Sequence, residues 1–359
     1  MARSMEFCDH IHWVPAKLLL ENGEAYEGIS PDWCEEESFG EVVFTTGMTG
    51  YVESITDPSF AGQILTFTFP LIGNYGVPDQ KFWESSKIHL RGLVLSELSL
   101  FCDHHQAVKS LGAWLKEQKV PFICGVDTRA LTKSLRSQGV ALGAIAKGKK
   151  NPVHFPDPNQ THLVASVSTK QVQEFGKGKK TIIAVDCGMK ENILRSLLKF
   201  PVKVKRVPFD YDYSEEEFDG VFISNGPGDP MICKETIAVL QKVLKKKKPV
   251  FGICLGAQLL ALGIGAKTFK LPYGHRGQNQ PCAHLNSRRC FLTSQNHGYA
   301  IDEKTLPKGW EVTFRNLNDS SVEGIAHCTY PFFAVQFHPE ASPGPLDTLW
   351  LFEQFYKLL

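Results

Sequence analysis

The chain has 359 residues, 43% hydrophobic and 21% charged, with 39 Lys and Arg against 38 Asp and Glu. That length allows two domains, each with a core of its own. The charge balance gives no support to nucleic acid or a membrane surface as a partner, a local patch apart, and no apolar run reaches the roughly 18 residues that cross a bilayer.

Residues 1–16, MARSMEFCDHIHWVPA, carry acids at Glu6 and Asp9 and no apolar stretch. They read as a short extension, not a signal or transit peptide. KLLLENGEAYEG predicts a hairpin turning at Asn22-Gly23. GEVVFTTG and GQILTFTFPLIGNYG are β-rich, with Gly and Pro breaks. In AVKSLGAWLKEQKV, Val108, Leu111, Trp114 and Leu115 have the spacing of one helix face. DTRALTKSLRSQG predicts a second helix, capped by Asp127 and stopped by Gly139. Between Lys147 and Lys180, KGKKNPVHFPDPNQ and EFGKGKK have the Lys, Gly and Pro content of a surface connection. HLVASVST between them reads as one more strand.

After Lys180 the pattern turns regular. TIIAVDCG, VKVKRVPF, DGVFISNGPGDP and PVFGICLG read as strands, with helices at MKENILRSLLKF and KETIAVLQKVLKKKK. The expected fold class is therefore α/β. It comprises a β-rich mixed α/β domain over 17–169, a linker over 170–180, and a doubly wound, mostly parallel sheet over 181–359. Sites in such sheets form at the C-terminal ends of strands, where SNGPGDP and GICLG both fall.

In Gly252-Ile253-Cys254-Leu255-Gly256 a cysteine stands between glycines at a strand-to-helix corner. Such an elbow exposes its central side chain, and the glycines remove the Cβ atoms that would clash. A thiol there meets the positive end of the helix dipole, which favours thiolate. The Leu255 amide points toward where an oxyanion would form. A small apolar residue at a tight turn is the bland alternative. A thiol nucleophile needs a base, and the base a partner that orients it. FFAVQFHPEASPGP supplies both: a strand over 332–337 delivers His338, and Glu340, two residues on, lies on the same side. SNGPGDP suits close backbone approach to a ligand, or equally a tight turn. In SQNHGYA, Asn296 and the backbone at Gly298 suit a polar amino-acid group.

Taken together, GICLGAQ, FHPE and SNGPGDP resemble a class I (triad-type) glutamine amidotransferase domain. GEVVFTTGMTGYVESITDPSFAGQIL, FTFPLIGNYG and GVDTRALTKSLRSQG resemble the N-terminal domain of carbamoyl phosphate synthetase small subunits, so the resemblance runs from Lys17 to Leu359. It implies hydrolysis of L-glutamine through a glutamyl thioester. Ammonia would then pass by a tunnel to a large subunit that makes carbamoyl phosphate from bicarbonate, for arginine or pyrimidine synthesis. On this resemblance Cys254 is the nucleophile, His338 the base and acid, and Glu340 its orienter. The implied glutamine contacts are Ser59, Gly226, Gly228, Leu255, Gln258, Asn296, Gly298 and Tyr299. No cofactor and no metal are expected in this chain, and ATP and Mg are expected on the large subunit.

Two positions depart from the family pattern. Ala257 follows the elbow glycine where many members have histidine, which puts that position's coupling to the partner in doubt. Gln280 in GHRGQNQP stands where bacterial relatives often have histidine. Cys254 is intact, unlike in relatives that use free ammonia. CDHIH (Cys8, His10, His12) and FCDHH (Cys102 to His105) lack paired metal-ligand spacing. Ten cysteines in no regular spacing suggest free thiols in a reducing compartment, so the cytoplasm is expected. Cys187, Cys233, Cys282, Cys290 and Cys328 read as packing thiols, and Lys245 to Lys248 as a solvated helix end. Two other functions stay open at this point: a regulatory subunit with an idle site, and a stand-alone hydrolase of γ-glutamyl compounds.

Overall fold

The structure is a computed structural model that describes residues 11–148 and 154–359. The chain divides into two compact units, Met1–Thr161 and His162–Leu359.

The first unit is built on a seven-stranded mixed sheet. From one edge its strands are Ala25–Pro31, Trp13–Leu20, Ala141–Lys147, Glu37–Thr45, Gln63–Phe67, Gly92–Val94 and Phe122–Ile123. The hairpin turns at Asn22-Gly23, where Gly23 takes φ +91° and the Asn22 side chain accepts from the Glu24 amide. Ser110 caps the helix Leu111–Glu117 by accepting from Ala113 N at 3.1 Å. That cap leaves Val108 outside the helix and exposed, while Leu111, Trp114 and Leu115 are buried as their spacing predicts. Asp127 caps the helix Thr128–Gln138, which ends at Gly139. Ser59 lies buried in the turn Pro58–Phe60, and its amide donates to Asp57 Oδ1 at 2.8 Å.

The second unit holds a ten-stranded sheet. Its order is Gln173–Phe175, Val202–Pro208, Lys180–Asp186, Gly220–Ile223, Val250–Ile253, Phe332–Val335, Val322–His327, Trp310–Asn316, Lys267–His284 and Arg289–Asp302. The strands from Val202–Pro208 to Phe332–Val335 are parallel, and antiparallel strands extend both edges. Helices cover both faces of the parallel part. Glu191–Leu197 and Trp350–Leu358 pack with Phe222, Phe251 and Phe333 on one side. Lys234–Leu244 and Leu255–Gly263 pack with Val221, Ile223 and Val250 on the other. This is the doubly wound arrangement that alternating strands and helices predict.

Several local expectations change. HLVASVST forms the helix Leu163–Val167, because the His162 ring caps it by accepting from Ala165 N at 3.2 Å. The expected linker 170–180 contains the edge strand Gln173–Phe175, paired antiparallel to Val202–Pro208, so the second unit begins at His162. The strand before His338 ends at Val335. Lys247 and Lys248 lie over the rings of Tyr330 and Phe218, at 4.9 and 5.0 Å, so the lysine run is partly seated on aromatic faces. Cys8 and His10 lie outside the described residues. All nine described cysteines are free. Cys187, Cys233 and Cys282 are buried as packing thiols, whereas Cys290 and Cys328 are exposed at strand margins and are not core thiols. Among the described residues no helix is long and apolar enough to cross a membrane.

Candidate active site

The site grows from the C-terminal ends of two adjacent parallel strands. Val250–Ile253 delivers Cys254 and Phe332–Val335 leads to His338. Cys254 takes φ +55° and ψ −107°, a conformation that costs a non-glycine residue about 1–3 kcal/mol. Its amide donates to the Val335 carbonyl at 2.9 Å, which ties the elbow to the strand that carries the histidine. The flanking glycines are required by space. A Cβ on Gly252 would stand 2.5 Å from the Gly256 carbonyl oxygen, and one on Gly256 would stand 2.1 Å from that of Ile223. No side chain fits there.

His338 Nδ1 lies 2.7 Å from Glu340 Oε1, and both residues are buried. Burial works against charge on His338, but the Glu340 carboxylate and the Cys254 sulfur outweigh it and raise the imidazole to about 10. Burial would likewise raise Glu340, yet Lys190 and His338 hold it down at about 2. The other ring nitrogen, Nε2, is buried and has no hydrogen-bond partner among the described residues. The nitrogen left over by the carboxylate is therefore the one available to a thiol or a substrate. Cys254 Sγ is 3.5 Å from the Asn296 carbonyl. The strand Arg289–Asp302 also reaches the base, because the Ser294 carbonyl accepts from the His338 amide at 2.9 Å.

Of the other expected contacts, Leu255 and Gln258 lie on the elbow helix Leu255–Gly263, both buried. The Gln258 amide nitrogen donates to the Tyr299 carbonyl at 3.0 Å and to Gln336 Oε1 at 3.2 Å. Its amide therefore binds the Ser294–Tyr299 segment to the helix. Gly226 packs so closely against Leu255 and Cys187 that a Cβ would stand 2.1 Å from the Cys187 carbonyl oxygen. Gly228 takes φ +85° beside Leu163 of the short helix. Asn296, Gly298 and Tyr299 are partly exposed on the Arg289–Asp302 strand. The second unit thus brings together every expected residue except Ser59, which belongs to the first.

Sequence reasoning missed Lys190. Its ammonium donates to Glu340 Oε1 at 3.1 Å, and its backbone amide donates to Asn225 Oδ1 at 3.1 Å. It precedes the helix Glu191–Leu197, where the dipole disfavours a cation. A lysine in that place is the signal that was available. Asn192 completes the clamp by donating to the Glu340 carbonyl. Ala257, where family members often have histidine, is fully buried in the core behind the elbow and faces no opening.

Residues 183–358 match the family model described as glutamine amidotransferase class-I, and residues 18–145 match the one described as carbamoyl-phosphate synthase small chain, CPSase domain. The chain is 47% identical over 361 residues to the carbamoyl phosphate synthase arginine-specific small chain of Saccharomyces cerevisiae, covering 95% of this chain and 88% of that one. It is 49% identical over 355 residues to the multifunctional protein CAD of Squalus acanthias, covering 95% of this chain and 16% of that protein. It is 47% identical over 356 residues to the mitochondrial carbamoyl-phosphate synthase [ammonia] of Homo sapiens, covering 96% of this chain. The chain spans 16% and 24% of the length of these last two relatives.

Proposed function

The chain belongs to the carbamoyl phosphate synthase small-chain family, and from that membership we propose that it is the glutaminase component of a glutamine-dependent carbamoyl phosphate synthase. Cys254 Sγ attacks the carboxamide carbon of L-glutamine after giving up its proton to His338 Nε2, which Glu340 keeps strongly basic. The tetrahedral oxyanion is held by the amides of Leu255 and Gly228. Collapse of that intermediate forms the γ-glutamyl thioester, and His338 returns the proton to the departing ammonia. Water, deprotonated by His338, then releases glutamate. Glu340 keeps the imidazole oriented throughout. Ser59, Gly226, Gln258, Asn296, Gly298 and Tyr299 complete the glutamine site.

Ammonia is consumed on a large synthetase partner, which binds ATP and magnesium and makes carbamoyl phosphate from bicarbonate. The product serves arginine or pyrimidine synthesis, and the free thiols suit a cytoplasmic setting. One observation carries the chemistry: a buried 2.7 Å His338–Glu340 contact beside a strained, glycine-flanked Cys254. The match of residues 18–145 supports a partnered enzyme over a stand-alone hydrolase.

The test is ammonia release from glutamine by the purified chain, alone and with a candidate large subunit, for wild type and Cys254→Ser. Slow release alone, faster release with the partner and none in the variant are expected. Release indifferent to the partner would favour the stand-alone hydrolase. A folded wild type that never releases ammonia would end the reading.

A further inference from the structure

Arg276 stands directly opposite Asn296 in the pairing of the strands Lys267–His284 and Arg289–Asp302. Residues paired in this way share one face of a sheet, and alternation adds Ser294 and Gly298 to that face. Arg276 is buried, whereas Ser294, Asn296 and Gly298 are partly exposed. The same stretch of backbone meets the chemistry. The Asn296 carbonyl accepts from Cys254 Sγ at 3.5 Å, and the Ser294 carbonyl accepts from the His338 amide at 2.9 Å.

A bulge gives the guanidinium its place. Lys270 pairs with Tyr299 and His275 with His297, so the four residues from Leu271 to Gly274 stand opposite Gly298 alone. Gly274 takes φ +67° and packs so tightly that a Cβ would stand 2.5 Å from the His297 carbonyl oxygen. Arg276 Nη1 donates across the bulge to the Tyr273 carbonyl at 2.7 Å. Nη2 lies toward Gly298, where a Cβ would stand 3.4 Å from it. Gly298 therefore opens onto a buried, oriented cation.

We propose that Arg276 is a substrate-binding residue that holds the α-carboxylate of glutamine. This rests on the function proposed above and adds the group that selects a free amino acid. The spacing fits. Two residues along a strand, the step from Asn296 beside the thiol to Gly298, cover about 6.5 Å. Extended glutamine has four carbon–carbon bonds from carboxamide carbon to α-carboxyl carbon, about 5 Å end to end. His338 meets the strand at Ser294, so a substrate with its carboxamide at Cys254 extends the other way and brings its carboxylate to Gly298. A guanidinium is planar, always charged and matched to a carboxylate by paired N–H donors. Lys190, also buried, is committed to Glu340 Oε1 at 3.1 Å. The Tyr273 bond holds the Arg276 guanidinium in place before substrate arrives, which lowers the cost of binding. The competing reading makes Arg276 a brace for the bulge and nothing more. A brace would serve all substrates alike, and a carboxylate anchor would not.

The test compares ammonia release by the full chain from L-glutamine and from L-glutamine α-methyl ester, which keeps the reacting carboxamide and lacks the α-carboxylate. Wild type should prefer glutamine roughly hundredfold in kcat/KM. Arg276→Gln should raise KM for glutamine roughly hundredfold with a smaller change in kcat, and should leave the ester nearly as before. Arg276→Lys, which keeps the charge without the fork, should retain part of the preference. A wild type that takes both substrates equally overturns the proposal, as does an Arg276→Gln that keeps the wild-type preference. If Arg276→Gln does not fold, Arg276→Lys decides, and a wild-type KM in it overturns the proposal. Calorimetry of glutamine binding to Cys254→Ala, with and without Arg276→Gln, needs no turnover. Should wild type release no ammonia, the function falls and calorimetry judges the anchor: binding that Arg276→Gln weakens upholds it, and no binding overturns both.

Discussion

Lys190 donates to the same Glu340 oxygen that holds His338: Oε1 lies 3.1 Å from Nζ and 2.7 Å from Nδ1. The carboxylate is thus shared between a fixed cation and a titrating one. Lys190 holds Glu340 down and also opposes charge on His338. Lys190→Met should therefore raise the pKa of both residues. The limb of the kcat/KM profile for glutamine that His338 governs should move to higher pH, with about 3 kcal/mol of stability lost as a buried pair is broken. A profile that keeps its position while stability falls would reduce Lys190 to a structural strut.

Cys254→Ala should abolish the acyl-enzyme. Removing the nucleophile of such a set costs on the order of 10⁴-fold or more in kcat. Intact-protein mass spectrometry after acid quench should show a glutamyl adduct on wild type alone. An adduct that persists in Cys254→Ala would move the chemistry to another residue.

Gly256→Ala tests the elbow's sterics. With a Cβ 2.1 Å from the Ile223 carbonyl oxygen, the helix must lift from the neighbouring strand. A loss of at least about 3 kcal/mol in urea unfolding is expected. A loss below about 1 kcal/mol would show that the backbone yields easily there.

The stability carried by the His338–Glu340 pair should depend on pH from both sides. His338 is raised from 6.5 to about 10, so its contribution is full below 6.5 and fades as pH rises through 10. Glu340 is lowered from 4.5 to about 2, so its contribution is full above 4.5 and fades as pH falls through 2. The unfolding free-energy difference between wild type and Glu340→Gln should peak between those inner limits and shrink at both extremes. Denaturant curves at three pH values would measure it, and a flat difference would refute the coupling.

Much of this was legible in the residues. Strand–helix alternation after Lys180 announced the wound sheet, and the glycines around Cys254 announced a corner with no room for side chains. What escaped depended on contacts distant in sequence. Leu163–Val167 has the β-branched content of a strand, and becomes helical because His162 caps it and because it lies against Gly228. Gln173–Phe175 has the polar texture of a linker because it is an exposed edge strand that needs no apolar face. Lys190 is an ordinary surface lysine until Glu340, 150 positions away, is folded against it. The buried polar cluster of His275, His297, Asn316 and Glu323 was invisible for the same reason. Its members come from the strands Lys267–His284, Arg289–Asp302, Trp310–Asn316 and Val322–His327, and only sheet register brings them together.

The adjacency of Val250–Ile253 and Phe332–Val335 has a consequence for biosynthesis. The strands are neighbours in the sheet, yet His338 follows Cys254 by 84 positions, and the antiparallel extension is made in between. While the ribosome translates that stretch, the elbow cysteine has neither its imidazole nor the Val335 carbonyl that fixes its amide. The growing polypeptide therefore carries the elbow cysteine without its base. The thiol gains its base only once the strand Phe332–Val335 lies beside Val250–Ile253.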